Sequence, residues 1–319
     1  MAKATEAVKL GKITMPVEIV NEMTQKIKEK SFIAALVPSE PETFGNKEYV
    51  TWTEDPEGEF VGEGEAKSSS TFGMEPKEGK LHKFQVTVRM SDEVTWADED
   101  NQLQILTALA GKMAEAKARG LDYGLGHAIN PLTRAYIDAF KAESIVWQAK
   151  QVAATDDPVA DFDNLADGII ENYDVTGIAL DRMYASSLRK VRVPNTGMRQ
   201  FPEIGLDLNP GNVDGITSVT SGSVAARRLA PAPTGIKAIL GNWNLVKWGF
   251  ARDFEIEMIE HGDPDGLGDL KRYNQVAFRT ECVYGWRVID HNGFVVLRDA
   301  SSIPEGAAVA AAAAKTASK

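Results

Sequence analysis

The residues that could do chemistry in this chain are few and widely separated. The four histidines lack the spacing of a metal site and are scattered along the chain, at His82, His127, His261 and His291. The acids of GDPDGLGD (Asp263, Asp265 and Asp269) weakly resemble a calcium loop, but Asn274 stands where its closing glutamate should be. No serine or cysteine lies in a nucleophile motif. These patterns favour neither a metal site nor a covalent catalyst.

Two further motifs could indicate an enzyme. Glu63 and Glu65 are close enough to form the acid pair of a hydrolase, but they lie in a glycine-rich loop without an apolar pocket to raise a carboxyl pKa. GLDYGLGH, which begins at Gly120, comes at the end of a predicted helix rather than between a strand and a helix, so it is not a dinucleotide loop. An acid-pair hydrolase is therefore the weakest of the functional hypotheses.

The composition is that of a soluble globular protein. The chain has 319 residues, 43% of them hydrophobic and 25% charged, which is enough for one elaborated domain or two. Its one cysteine, Cys282, excludes an internal disulfide framework. We find neither a run of about 20 apolar residues nor an apolar core of a signal peptide. The sequence therefore predicts synthesis in the cytoplasm and no membrane partner.

The charge argues against a protein whose main task is to grip nucleic acid. The net charge is −11, whereas phosphate binding requires a basic face. The charge is uneven, because residues 1–30 have a balance of +2 and residues 46–80 a balance of −5. We therefore expect only weak contact with DNA, through lysines of the N-terminal arm such as Lys3, Lys9 and Lys12.

Residues 46–80 are the most informative segment. Alternating EYVTW opens the segment, alternating HKFQVTVRM follows it, and glycines and acids fill the middle. This pattern predicts two antiparallel strands joined at a distance. A long loop without packing of its own is usually functional, and a two-stranded arm is marginal alone. We therefore expect an arm that lies on another molecule; the alternative is a mobile surface hairpin.

The remaining pattern predicts a nested organisation. Leu103, Leu106 and Met113 recur at helical spacing and predict a long helix. Short helices and strands follow between residues 149 and 251, with Leu165, Ile169 and Ile170 expected to face inward. Long strands return near the C-terminal end, and we expect the strand ending at Leu297 to share a sheet with the strand that contains Val276 and Phe278. The middle region then reads as an inserted domain.

Several strings in this order resemble one family. They are VRMSDEV, ARGLDYGLGHAINP, SLRKVR, FPEIG, GNW, WGFARDFEIEM and NQVAFRTECVYGWRVIDHNGFVVL. The chain resembles major capsid proteins of tailed bacteriophages, which have the α+β Hong Kong 97-like fold. The resemblance implies an N-terminal arm (1–45), an extended β-hairpin loop (46–82), a peripheral domain with a long spine helix (83–148 and 252–300), an inserted axial domain (149–251) and a C-terminal tail (301–319).

The resemblance also implies the function. The chain is expected to be a structural protein and not an enzyme, assembling as pentamers and hexamers into the icosahedral shell of a virion. Assembly would take place in the host cytoplasm, and the partners would be other copies, a portal, packaged double-stranded DNA and, because only about thirty residues precede the fold, a separate scaffolding protein. Whether a decoration protein binds is left open. The alternative within the fold is an encapsulin-like bacterial nanocompartment. No cofactor is implied.

Three residues match the positions at which self-crosslinking members of that family join their subunits. Lys67 matches the loop lysine, Asn274 the asparagine that it attacks, and Glu281 the glutamate that assists. A lysine amine attacks only when it is neutral, so a nearby acceptor must take its proton. Asn274 and Glu281 are seven positions apart, and this odd separation would put them on opposite faces of one strand unless the strand starts late, bulges or bends. The alternative is that all three are ordinary surface and strand residues.

Overall fold

The structure is a computed structural model that describes residues 31–41, 47–54, 56–63, 66–71, 73–92, 102–252 and 255–304. The N-terminal lysines and most of the predicted N-terminal arm and C-terminal tail lie outside these ranges. The helices are α1 (Phe32–Leu36), α2 (Gln102–Leu121), α3 (Asp138–Lys141), α4 (Ile145–Gln148), α5 (Pro158–Asp167) and α6 (Arg182–Lys190). A single π-helical turn (Asp122–Gly126) follows α2, and 3₁₀ turns occur at Trp243–Leu245, Lys271–Tyr273, His291–Gly293 and Ala300–Ser302.

The strands form two main sheets and one small hairpin. They are β1 (Lys47–Glu54), β2 (Gly73–Ser91), β3 (Ile129–Asn130), β4 (Ala135–Tyr136), β5 (Lys150–Ala154), β6 (Gly177–Leu180), β7 (Asn212–Val213), β8 (Ile216–Thr220), β9 (Ile236–Gly241), β10 (Val246–Phe250), β11 (Glu255–Ile259), β12 (Gln275–Val288) and β13 (Phe294–Asp299). The helices and sheets confirm the mixed class predicted from the sequence.

The first sheet is built around β12. Strand β2 pairs with it antiparallel from Ser91 opposite Gln275 to Lys80 opposite Trp286, and β10 and β11 pair with it as well. Residues 73–79 of β2 continue past this sheet and pair only with β1. Residues 46–80 thus contain two antiparallel strands, as predicted, but the partner of β1 is residues 73–79, the outer part of one 19-residue strand. The alternating HKFQVTVRM, from which the second strand was predicted, pairs with β12 instead.

The predicted long helix is confirmed as α2, which packs on the first sheet. Met113 and Leu121 are buried in one cluster with Phe278 and Tyr284 of β12. At Gly120 a Cβ atom would come within 2.7 Å of the Phe84 ring, so only glycine lets helix and strand approach this closely. Leu103 and Leu106 lie in α2, but their side chains are outside what the structure describes.

The second sheet has the order β5-β13-β9-β6-β8-β7. The prediction that the strand ending at Leu297 shares a sheet with Val276 and Phe278 is therefore wrong. Asp290 caps the 3₁₀ turn after β12, and the chain then enters the second sheet as β13, parallel to β5 and antiparallel to β9. Residues 294–297 are all buried, because Phe294 and Val296 face one core and Val295 and Leu297 the other.

Two details of the middle region differ from expectation. Strand β10 falls within residues 149–251 but pairs with β12 in the first sheet, because the chain leaves the second sheet after β9. Leu165 and Ile169 are buried, as predicted, whereas Ile170 is exposed. Helix α5 ends at Asp167, and the turn that follows rotates Ile170 away from the core. The short elements predicted there, α5, β6 and α6, are confirmed.

Candidate assembly site

The arm formed by β1, β2 and the segment between them projects from the first sheet. Every described residue of 56–63 and 66–71 is exposed, including Phe60. Two hydrogen bonds join the limbs of this segment: Glu57 N donates to Ser70 Oγ at 2.8 Å, and Ser68 N donates to Glu59 Oε1 at 2.6 Å. Hydrogen bonding from Ser68 lowers the pKa of Glu59. The arm is thus a hydrogen-bonded ribbon whose described outer residues are exposed and belong to no buried cluster.

A polar and aromatic cluster binds the root of the arm to the body. Glu143 accepts hydrogen bonds from Lys80 Nζ at 2.8 Å, from His82 Nε2 at 3.0 Å and from Trp286 Nε1 at 3.2 Å. The His82 ring stacks on Trp286 and meets Phe140 edge-on. Burial alone would raise the pKa of Glu143, but the hydrogen bonds from His82 and Lys80 outweigh it and lower the pKa to about 2. The carboxylate therefore stays ionised and fixes the point at which β2 leaves the sheet.

The three residues matched to crosslinking are all exposed, and nothing places them together. Lys67 lies in the outer part of the arm. Asn274 precedes β12 in a left-handed conformation with φ of 51°, and its carbonyl accepts the Asp92 N–H at 2.8 Å. Glu281 lies on β12 between Gln85 and Glu255. Because Asn274 lies outside the strand, strand alternation does not set its direction. Glu281 is nevertheless about 20 Å farther along β12, so one chain cannot bring Asn274 and Glu281 together.

The other candidate residues have structural partners. Arg89 holds the GDPDGLGD loop: its guanidinium pairs with Asp265 and Asp263 and donates to the Gly268 carbonyl at 3.0 Å. The hydrogen bond from Arg89 lowers the pKa of Asp265. Across the described ranges, no group of three histidines, cysteines or acids could hold a metal ion. Of the acid pair, Glu63 is exposed and Glu65 lies outside the described residues.

Sequence analysis missed two buried charged residues at the C-terminal end of α2. Asp122 accepts hydrogen bonds from Ser31 Oγ, from Phe32 N at 3.2 Å, from Ile33 N at 3.4 Å and from Ser223 Oγ at 2.5 Å. Burial raises its pKa to about 7, and these hydrogen bonds limit the rise. Asp122 thereby joins the start of α1 to the loop after β8. Neither the burial nor these partners, which are 89 or more residues away, could be found in its local sequence.

Lys117 is the second missed residue. It is fully buried, and its Nζ donates to Thr280 Oγ1 of β12 at 2.6 Å. Burial lowers its pKa to about 7. Its carbonyl accepts the Tyr284 hydroxyl at 3.0 Å. Lysine in a charged helical sequence usually points to solvent, so only the packing of α2 on β12 identifies this position.

No helix among the described residues is long and apolar enough to span a membrane.

Comparisons with known proteins agree on one class of shell protein. The sequence matches the phage capsid family over residues 11–299. This match covers most of the chain, and the chain therefore belongs to the phage capsid family. It is the major capsid protein of a phage, a structural protein located in the virion capsid. Among curated proteins, none matches the chain significantly.

Solved structures extend this result to the fold. A structure from Mycobacterium phage Ogopogo is 34% identical, with a TM-score of 0.75 over 85% of this chain and 92% of that chain. One from Gordonia phage Cozz is 28% identical, with a TM-score of 0.71 over 89% of this chain and 87% of that chain. A structure described as the capsid of an empty GTA particle is 15% identical, with a TM-score of 0.55 over 94% and 95% of the two chains, and shows the fold alone.

Proposed function

We propose that copies of this protein assemble as pentamers and hexamers into an icosahedral shell that encloses packaged double-stranded DNA of a tailed phage. The observation that carries the proposal is membership of the phage capsid family together with an arm that leaves its own sheet. A paired ribbon with its outer residues exposed is completed by contact with another molecule, and in a shell the nearest molecule is a second copy.

The test is negative-stain microscopy of the purified full-length protein. Faceted shells large enough for a genome support the proposal. Small uniform cages would favour the encapsulin-like nanocompartment instead, and particles that never exceed single subunits under assembly conditions would contradict both.

The fold suggests how the chain divides in such a shell. The first sheet and α2 would form the peripheral domain with its spine helix, and the second sheet the inserted axial domain around which capsomers close. In this division β10, which pairs with β12, would belong to the peripheral domain, and β13, which lies between β5 and β9, would belong to the axial domain. Residues 46–82 would be the extended loop that covers a neighbour.

The proposed partners beyond other copies are a separate scaffolding protein, a portal and DNA held mainly by confinement. The net charge of −11 supports weak DNA contact. Unassembled subunits are therefore expected to show little DNA affinity at physiological salt. A tight complex whose affinity falls steeply with added salt would contradict this part of the proposal.

We also propose that an isopeptide bond joins Lys67 of one copy to Asn274 of another. The neutral amine would attack the side-chain carbonyl carbon of Asn274, the new amide would form, and ammonia would leave. A glutamate at position 281 would accept the lysine proton. Because about 20 Å of β12 separates Glu281 from Asn274 in one chain, the assisting glutamate would come from a different copy than the asparagine.

Denaturing electrophoresis of mature particles tests this bond. We expect a ladder of subunit multiples that Lys67→Arg abolishes, because guanidinium stays protonated and is a poor nucleophile. Exposed Lys83 offers a matched control, since Lys83→Arg should leave the ladder unchanged. Mature wild-type particles that run as one band near 34.7 kDa would exclude the crosslink without affecting the shell proposal.

A further inference from the structure

A cleft of about 410 Å³ opens beside the C-terminal end of β13. The β3–β4 hairpin and α4 supply aromatic walls, where Tyr136 and Trp147 meet edge-on with ring centres 5.4 Å apart. Arg298, His127 and Ser301 also line it. None of these residues belongs to the arm, to its root or to the residues matched to crosslinking.

Arg298 is a buried cation that no anion among the described residues pairs with. The residue is only 6% exposed, and its Nη1 donates to the Ser302 carbonyl at 3.2 Å. No carboxylate among the described residues pairs with it, and its Nε has no hydrogen-bond partner there. The adjacent Asp299 pairs instead with Lys237, at 3.1 Å. Burial lowers the pKa of Arg298 to about 10, so the guanidinium is charged at neutral pH. A buried unpaired charge is costly, and an incoming anion would offset that cost.

His127 lies in the wall of the same cleft. Its Nε2 lies 2.8 Å from the Ser223 carbonyl and must donate to it. Burial lowers the pKa of His127 to about 4, so the ring is neutral and Nδ1 is an acceptor. Nδ1 has no partner in the part of the chain that the structure describes. A ligand that suits the cleft therefore carries an anionic acceptor for Arg298 and an apolar group for the aromatic walls.

An acidic peptide with an apolar side chain has both groups, whereas a phosphodiester backbone has no apolar group for the aromatic walls. The described outer segment of the arm, residues 56–63, carries Glu57, Glu59 and Glu63 around the fully exposed Phe60. The segment does not fill the cleft of its own chain, because all of its residues are exposed and none of them lines the cleft. The segment would have to come from another copy.

We propose that the cleft binds residues 56–63 of a second copy's arm, with a glutamate carboxylate on Arg298 and Phe60 against Tyr136 and Trp147. This inference rests on the proposed shell and names the contact that would hold neighbouring copies. Each partner supplies what the other lacks: the arm brings anions and an exposed ring, and the cleft brings an unpaired cation and aromatic walls.

Cysteine crosslinking in assembled shells tests the contact. Val61→Cys with Ser301→Cys leaves the proposed contacts in place, and a short bismaleimide should join neighbouring subunits into covalent multimers. The matched control pairs Val61→Cys with Asp214→Cys, an exposed turn at β7, the opposite edge of the second sheet from the cleft. Native Cys282 is buried with its pKa raised to about 11, so it should stay unreactive. Intact shells without cleft-specific multimers would overturn the inference while leaving the shell proposal standing.

Charge variants provide the second test. Arg298→Gln should leave the unfolding temperature of the unassembled subunit unchanged or higher, because it removes an unpaired buried charge, yet shells should dissociate at lower guanidinium concentration. Replacing Glu57, Glu59 and Glu63 together by glutamine should weaken shells similarly. Shells of wild-type stability in both variants would contradict the inference. So would protection of Ser301→Cys in unassembled subunits by a DNA oligonucleotide but not by a peptide of residues 56–63.

Discussion

At the scale of single residues, Lys117 is a buried base whose protonation is linked to folding. Its pKa is about 7 in the folded chain, against 10.5 for an ordinary lysine, so between these values the unfolded chain binds more protons. Stability due to this residue should therefore rise with pH across that window, by up to about 1.4 kcal/mol per pH unit. Cys282 and Tyr284 face it from β12, and because an ordinary cysteine thiol has a pKa of 9.0, the measurement should stop at pH 9.

We expect Lys117→Met to remove most of the rise in subunit stability between pH 7 and pH 9, because methionine fills similar space without a proton to lose. The measurement is guanidinium unfolding of unassembled subunits at both pH values. Lys112→Met, on an exposed position of the same helix, should keep the rise. An equal rise in wild type and Lys117→Met would show that the ammonium is not buried in the folded subunit.

Asp122 has the opposite linkage and a clearer structural role. Its pKa is raised from 3.8 to about 7, so its contribution is complete below pH 3.8 and is lost as pH rises toward 7. Asp122→Ala leaves two backbone N–H groups and two hydroxyls without their acceptor, which should cost about 2–4 kcal/mol. Hydrogen exchange of residues 31–41 should increase, because α1 loses its attachment.

A matched comparison is Asp157→Ala. Asp157 also caps a helix, accepting the Val159 N–H at 3.0 Å, but it does so at the surface. Loss of a surface cap typically costs about 1 kcal/mol. Equal losses from Asp122→Ala and Asp157→Ala would mean that burial of the Asp122 cluster contributes nothing. Both positions are ordinary aspartates in sequence, and only the contacts of the folded chain distinguish them.

At the scale of elements, local sequence patterns predicted the helices and strands better than they predicted which strands pair. Helix α2 and strand β2 follow from the spacing of their apolar residues, and β12 follows from its long strand-like run, although Cys282–Val288 are buried throughout. The sheet to which β13 belongs does not, since residues 294–297 are buried on both faces and such a run fits the centre of either sheet. The cleft is equally hidden from sequence, because Arg298 and Tyr136 are brought together only by the route of the chain between the two sheets.

The root of the arm is an element-scale junction that depends on one carboxylate. Glu143→Ala should leave Lys80, His82 and Trp286 without their shared acceptor, and we expect a loss of about 1–3 kcal/mol and faster hydrogen exchange in residues 73–82. The pKa of Glu143 is lowered from 4.5 to about 2, so its contribution is present above pH 4.5 and disappears as pH falls through that window. Glu171→Ala, at an exposed position, is the control. Unchanged exchange in the arm would show that the cluster does not hold it.

At the scale of the whole molecule, we expect the arm to be needed for shell assembly but not for folding of the subunit. The buried clusters include no described residue of 56–63 or 66–71. Deletion of residues 57–71 should therefore leave a soluble subunit with an unfolding temperature close to wild type. It should also remove the segment proposed to cover a neighbour, and with it the anions proposed for the cleft and the lysine proposed for the crosslink.

We expect this deletion to fold but not to form stable shells when it is examined by circular dichroism and negative-stain microscopy. Lys67→Arg provides the comparison, because it removes only the proposed covalent bond: its shells should assemble normally and fail only to form the ladder. A deletion variant that forms normal shells would show that the arm is a dispensable surface hairpin. A deletion variant that does not fold would show instead that the exposed ribbon stabilises its own subunit, against the burial pattern of the chain.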